Sequence, residues 1–197
     1  MRSAFDGQVV IRYRYFSLFG DTDYKIGKGW ANRGGYAGFG QHLHDVGARF
    51  EHIELHAELW TTVRPASSAG PHLAVKAAQA LGGPQGDGML ADRYAWALRL
   101  AFFRDGRDIA DWATQAGVAR EAGLDPGALE AEIRKGRAHA ALAADERDRQ
   151  THRGQGSPTF VLNEGRQVLF GNVGYRVLDA NIRELMQEPA AGAAGWC

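Results

Sequence analysis

Sulfur is what this 197-residue chain has least of: its only cysteine is Cys197, the last residue. One thiol can close no internal disulfide and make no Cys-x-x-Cys pair, so dithiol exchange within the chain is excluded at the outset. Excess charge is missing too. Lys and Arg number 23 against 23 Asp and Glu, for a formal net charge of zero, without the basic excess that nucleic-acid and anionic-membrane binders usually show. No stretch reaches the roughly 18 apolar residues of a membrane span. The opening "MRSAFDGQVVIRYRYF" has no apolar core of signal-peptide length. The expectation is a cytoplasmic protein that uses neither nucleic acid nor membrane. What is present is an ordinary globular composition, 45% hydrophobic, which at this length supports one sizeable core or a domain carrying an insertion.

Along the chain, "QVVIRYRYF" (8–16) alternates Val9, Ile11, Tyr13 and Tyr15 with Val10, Arg12 and Arg14, which predicts a strand. After a "GDTD" turn, Tyr36, Phe39, Leu43, Val46 and Phe50 recur at helical spacing and predict a helix near 36–50. "HIELHAEL" (52–59) reads as a second strand. A loop follows, with Ser67 or Ser68 as N-cap. The middle is helical. Leu73, Ala77, Ala80 and Leu81 mark one helix, ended by "GGPQGDG"; Leu90, Tyr94, Ala97, Leu98 and Ala101 mark the next. Trp96, Leu100 and Phe103 on the opposite side of that helix predict cover over most of its surface. A third helix starts after Asp108, a fourth is capped by Asp125 with Pro126 at its first position, and a charged, Ala-rich helix spans 137–150. "TFVLN" (159–163) and "QVLFG" (167–171) then read as a hairpin turning at Glu164–Gly165. A last helix carries Leu178, Ile182, Leu185 and Met186, and "EPAAGAAGWC" reads as a loose tail in which Cys197 is exposed.

That order (strand, helix, strand, about 90 mostly helical residues, hairpin, helix) suits a thioredoxin fold with a helical insertion. The residues carry a resemblance as well. "GSPTFVLNEGRQVLFGNVGYRVLDANIREL" resembles the cis-proline segment and following hairpin of DsbA-like thioredoxin-fold proteins. "SSAGPHLAVKAAQAL", "LRLAFFRDGRDIAD" and "AGLDPGALEAEI" resemble successive parts of that family's helical insertion. The resemblance implies an α/β class, a thioredoxin-like fold with an inserted helical subdomain. The thioredoxin-like domain would occupy 8–67 and 151–187, the insertion 68–150 and the tail 188–197. It also implies a cis Ser157–Pro158 bond, whose cost of about 0.5–1 kcal/mol relative to trans a packed loop absorbs, and a substrate site between the first-helix N-terminus and that loop.

In redox-active members the turn after the first strand carries Cys-x-x-Cys, its first thiolate stabilised by helix-terminal amides. Here the matching stretch is "GDTD" or "DTDY", and neither register holds sulfur. Related kappa-class glutathione transferases and 2-hydroxychromene-2-carboxylate isomerases place a serine there to hold the glutathione thiolate. By that analogy Thr22, with Asp21 and Asp23 beside it, is the candidate catalytic set. Phe19, Gly20, Tyr24, Ser157, Pro158 and Thr159 are the candidate substrate contacts, and glutathione is the one candidate cofactor. Two readings stay open at this point. One is an isomerase or thiol-dependent enzyme for a small molecule or thiol compound. The other is a non-catalytic thioredoxin-fold module that binds a peptide or partner. Asp21 and Asp23 oppose a thiolate electrostatically, and either serves equally well as a helix N-cap. A homodimer is a further open option.

The remaining polar residues read as structural. His42 and His44 fall on or beside the polar side of the first predicted helix. His52 and His56 would share a strand face, with Glu58 as a third ligand, but no complete metal set is expected. His72 suits a neutral packing role. "DTDYKIG" lacks the rest of a calcium-loop pattern. "GGYAGFG" has its glycines in the wrong order for a nucleotide loop and reads as a helix start. Phe19, Tyr24, Trp30 and Trp60 read as core, with one or two free to line a groove.

Overall fold

Small side chains and well-placed caps set the helical half of this protein. A computed structural model describes residues 4–5, 7–83, 88–154 and 156–187. Helix α1 is Gly35–Gly47, α2 Ala69–Leu81, α3 Met89–Phe103, α4 Trp112–Glu121, α5 Pro126–Arg134 and α6 Arg137–Thr151. Strands β1 (Thr159–Leu162) and β2 (Gln167–Phe170) and helix α7 (Tyr175–Met186) complete the order. Ala74, Val75, Ala77 and Ala78 are buried on α2, and their short side chains let α3 and α5 pack closely against it. Ser67 Oγ accepts the Ala69 N–H at 3.0 Å, taking one of the orphan donors at the start of α2. Asp125 accepts from Gly127 and Ala128 with Pro126 at the first position of α5, the cap expected from sequence. The cap of α4 is Asp111, which accepts from the Thr114 N–H at 2.8 Å, and not Asp108, whose carboxylate takes the Ala110 N–H instead.

The chain divides into two compact units, one of residues 15–146 and one of 1–14 with 147–197. The first unit contains two apolar clusters. One joins Tyr15 and α2 to Tyr94, Leu98, Val118 and Leu129. The other gathers Ile26, Leu59, Trp60 and Phe102, with Phe19, Tyr36 and Phe39 packed against them. Division at 14/15 and 146/147 differs from the expected division at 67/68 and 150/151, because residues 15–67 pack with the helices that follow them. In the second unit β1 and β2 pair antiparallel, Thr159 opposite Phe170 and Leu162 opposite Gln167. Asn163, Glu164 and Gly165 turn the hairpin with positive φ, a region that glycine and asparagine tolerate well and glutamate seldom adopts. Leu178 and Ile182 form the buried stripe of α7, and Arg183 lies over the Phe5 ring.

The two other expected strands are not strands among the described residues. Residues 8–16 have neither strand nor helix structure. Burial follows their alternation only in part, since Tyr15 is buried but Tyr13, on the same expected face, is exposed like Val10; a strand also needs a ladder, and the Tyr15 N–H is taken by the Asp145 carboxylate at 2.8 Å. Residues 52–59 close instead into short turns: the Ile53 N–H goes to the Phe50 carbonyl, Leu59 to His56, and His56 reaches Phe103 at 2.7 Å. His52 and His56 therefore share no strand face. The first helix is also shorter than expected. A six-residue π-helical turn (Asp23–Lys28) and a 3-10 turn (Ala31–Arg33) precede α1, and Phe50 falls beyond its end. The expected cover of α3 is absent at Trp96, which is 60% exposed. No helix among the described residues is long and apolar enough to cross a membrane. The tail with Cys197 and residues 84–87 of "GGPQGDG" lie outside the described residues.

Candidate functional site

The turn that would carry the reactive group is built inward. Thr22 is 2% exposed. Its Oγ1 donates to the Pro65 carbonyl at 2.8 Å, with the Ala66 carbonyl as the second acceptor at 3.1 Å. The Thr22 N–H donates to the same Ala66 carbonyl at 3.1 Å, and the Ser68 N–H returns to the Phe19 carbonyl at 2.8 Å. Four contacts thus stitch 19–22 to 65–68. A hydroxyl has one proton, and here that proton is committed to main-chain oxygen, while the Tyr36 hydroxyl donates to Thr22 Oγ1 at 3.4 Å.

The two aspartates serve the backbone and a neighbour. Asp21 Oδ1 accepts the Tyr24 N–H at 2.9 Å, the capping role open to it from the sequence. Asp23 pairs with Lys28 at 3.3 Å. Tyr24 is exposed, whereas Ile26, two residues on, is wholly buried. Phe19 stands with its ring near Phe39 (5.9 Å) and Trp60 (6.2 Å), so it belongs to the aromatic core. Trp30 joins the same network, its ring 5.0 Å from Phe39.

The other half of the expected site lies in the second unit. The Ser157–Pro158 peptide bond is cis, and both residues are exposed. Thr159 Oγ1 donates to the Gly156 carbonyl at 2.6 Å, and the Pro158 carbonyl accepts the Gly171 N–H at 3.0 Å. Gly156 sits against the Phe170 ring: a Cβ there would stand 3.1 Å from it. Thr22, Asp21 and Asp23 thus belong to one unit and Ser157, Pro158 and Thr159 to the other.

A family model for the DSBA-like thioredoxin domain matches residues 1–183. The chain belongs to the DSBA-like thioredoxin family. No curated protein matches it significantly. Membership carries the α/β, thioredoxin-like reading with a helical insertion, here with a two-stranded sheet among the described residues. This DSBA-like chain departs from its redox-active relatives at the chemical centre, since no cysteine stands anywhere in 1–196.

Several residues that hold this part of the DSBA-like chain together were not singled out from sequence. Pro65 and Ala66 supply the carbonyls for Thr22, and Arg64 lies over the Tyr36 ring at 4.8 Å. The Lys76–Asp145 pair is nearly removed from water. A signal for Lys76 existed: it stands inside "LAVKAAQAL", where a lone cation among small apolar residues on a helix needs a buried partner. His72, one turn earlier, packs its ring on Tyr15 at 5.5 Å. Burial, aided by the nearby Arg99 charge and opposed by Asp145, lowers its pKa to about 4, so it is neutral at pH 7. Among the described residues no three His, Cys, Asp or Glu side chains gather as a metal set.

Proposed function

We propose that this chain is a thioredoxin-fold binding module that takes an extended polypeptide segment along Ser157–Pro158–Thr159 and performs no thiol chemistry on it. The observation that carries the reading is the Thr22 hydroxyl, whose proton goes to the Pro65 carbonyl. Both donors of Thr22, its hydroxyl and its N–H, then go to main-chain oxygen, and the flanking carboxylates are used as a cap and as the partner of Lys28. Ser157 and Pro158 are exposed. Because the Pro158 carbonyl takes the Gly171 N–H and Phe160 stands opposite Leu169, antiparallel alternation turns the Thr159 N–H and C=O away from β2. A peptide added beside such a backbone gains affinity from main-chain hydrogen bonds and needs no nucleophile.

The competing reading is an isomerase or thiol-dependent enzyme with glutathione at the turn, and the two separate in one experiment. A fluorescently labelled, cysteine-free extended peptide is titrated by anisotropy against the wild type and Ser157→Pro. Reduced glutathione is titrated in parallel by thermal shift. Expected are saturable peptide binding, a loss of about tenfold (about 1.4 kcal/mol) in Ser157→Pro, and no shift with glutathione. Peptide affinity unchanged in Ser157→Pro, or a glutathione shift that disappears in Thr22→Val, overturns the module reading.

A further inference from the structure

Helix α3 has apolar residues on two sides, and only one side is covered. Tyr94, Leu98 and Ala101 are buried where α3 packs on α2 and α4. On the other side Met89, Trp96, Leu100 and Phe103 follow one another at intervals of seven, four and three, the spacing of a helix-pairing seam. Trp96 is 60% exposed, Met89 56% and Phe103 38%. Single exposed apolar residues are unremarkable, but four at this spacing along one side of a helix, an indole among them, mark a docking face.

Charge identifies the partner. Asp92 stands four residues before Trp96 and Arg99 three after it. At about 100° per residue both fall on one flank of the stripe, roughly 40–60° from Trp96. Antiparallel helices meet like flank to like flank in reversed order, so a second α3 related by a two-fold axis near Trp96 sets each Asp92 opposite the other copy's Arg99. A parallel second copy would instead bring opposite flanks together, setting Asp92 against Arg93, whose guanidinium is already used on the Ala122 carbonyl, and leaving Arg99 with no acid to face. Only the positions of the charges matter here; Asp92 also has a contact within its own chain. We infer that this face is a homodimer interface, formed by two antiparallel α3 helices with Trp96 near the axis. A 15-residue helix is only about 22 Å long, so the contact is modest and the dimer exchanges readily with monomer.

Sedimentation velocity under reducing conditions, which remove any disulfide through Cys197, tests this from about 1 µM to about 1 mM. The wild type is expected to shift from monomer to dimer as concentration rises. Trp96→Glu and, independently, Met89→Lys are expected to stay monomeric throughout, with unchanged circular dichroism and thermal midpoint because both side chains are exposed. Asp92→Arg and Arg99→Asp are each expected to weaken the dimer at least tenfold, and the double exchange to restore it. A wild type monomeric at about 1 mM leaves the face to a foreign partner and overturns the inference. A dimer that survives both Trp96→Glu and Met89→Lys overturns it as well. Failure of the double exchange to restore the dimer refutes the antiparallel register.

Discussion

The Lys76 ammonium lies 2.9 Å from one oxygen of the Asp145 carboxylate and 3.1 Å from the other, with both side chains almost wholly out of water. The Tyr15 N–H donates to the same carboxylate. One acidic residue on α6 therefore neutralises a cation on α2 and terminates a main-chain donor. Breaking such a pair from one side leaves a buried charge alone, which costs about 3–5 kcal/mol. Asp145→Asn is expected to lose that much in urea unfolding. Lys76→Met combined with Asp145→Asn should lose less than Asp145→Asn alone, because the stranded cation is gone. A double variant no more stable than Asp145→Asn would show that the Lys76 ammonium, left without its carboxylate, costs nothing.

His72 predicts the acid limb of stability. Its pKa is about 4 in the folded chain against 6.5 for the free side chain, so between those values the unfolded chain binds more protons than the folded one. Stability then rises with pH across pH 4 to 6.5 and falls on acidification through the same window. The contribution is at most about 3 kcal/mol, and less because the ring is only partly buried. Urea midpoints measured from pH 7 to pH 4.5 should fall for the wild type and stay flatter for His72→Phe. Equal slopes in the two proteins would assign the acid sensitivity to other groups.

At Thr22, loss of the hydroxyl leaves the Pro65 carbonyl without its closest donor. Thr22→Val is nearly isosteric, so its expected cost of about 1–2 kcal/mol reports the hydrogen bonds and not packing. Thr22→Ser keeps the donor and should lie closer to the wild type. Peptide affinity should be unchanged in both once the fraction folded is accounted for. A Thr22→Val variant of wild-type stability would mean that the stitch between 19–22 and 65–68 rests on its backbone bonds alone.

Insulin reduction and dithiol oxidation should not exceed the background of a free thiol, because mixed-disulfide resolution needs a second cysteine. Cys197→Ser should behave as the wild type does under reductant. Turnover that persists in Cys197→Ser would require redox chemistry from a chain without sulfhydryl groups.

What could be read from the sequence follows from how local each interaction is. The cap of α5 was legible because Asp125 and Pro126 act on amides within three residues. The hairpin was legible because β1 and β2 are joined by a four-residue turn. Residues 8–16 misled because alternation is a local pattern, whereas a strand depends on a distant ladder partner, and here Asp145, 130 positions away, takes the Tyr15 N–H. The same distance hid the candidate site's internal wiring. "GDTD" displays a hydroxyl and two carboxylates, but nothing near Thr22 in sequence announces that Pro65 and Ala66 absorb that hydroxyl. Trp96 was misread for a further reason: an apolar side chain calls for cover without saying whether its own chain or another supplies it.

Gly40 offers the most local test of the fold around the turn. It lies in α1, where its missing side chain lets the helix approach the Leu59 carbonyl: a Cβ would stand 2.5 Å from that oxygen. Main-chain oxygen cannot swing aside as a side-chain tip does, so α1 or the loop must move. Gly40→Ala would ordinarily gain up to about 1 kcal/mol of helix propensity. Overpacking of about 1–3 kcal/mol outweighs it, and a net loss is expected. Gly82, which follows α2 with φ −68°, is the control in the same unit. A Cβ there meets nothing closer than 3.5 Å, and its backbone suits alanine, so Gly82→Ala should be neutral or stabilise by up to about 1 kcal/mol. Thermal melts of the two variants should therefore move in different directions. If Gly40→Ala also proves neutral, α1 and the 59 carbonyl are not in close contact, and the packing of Tyr36 and Phe39 on Trp60 is looser than these distances require.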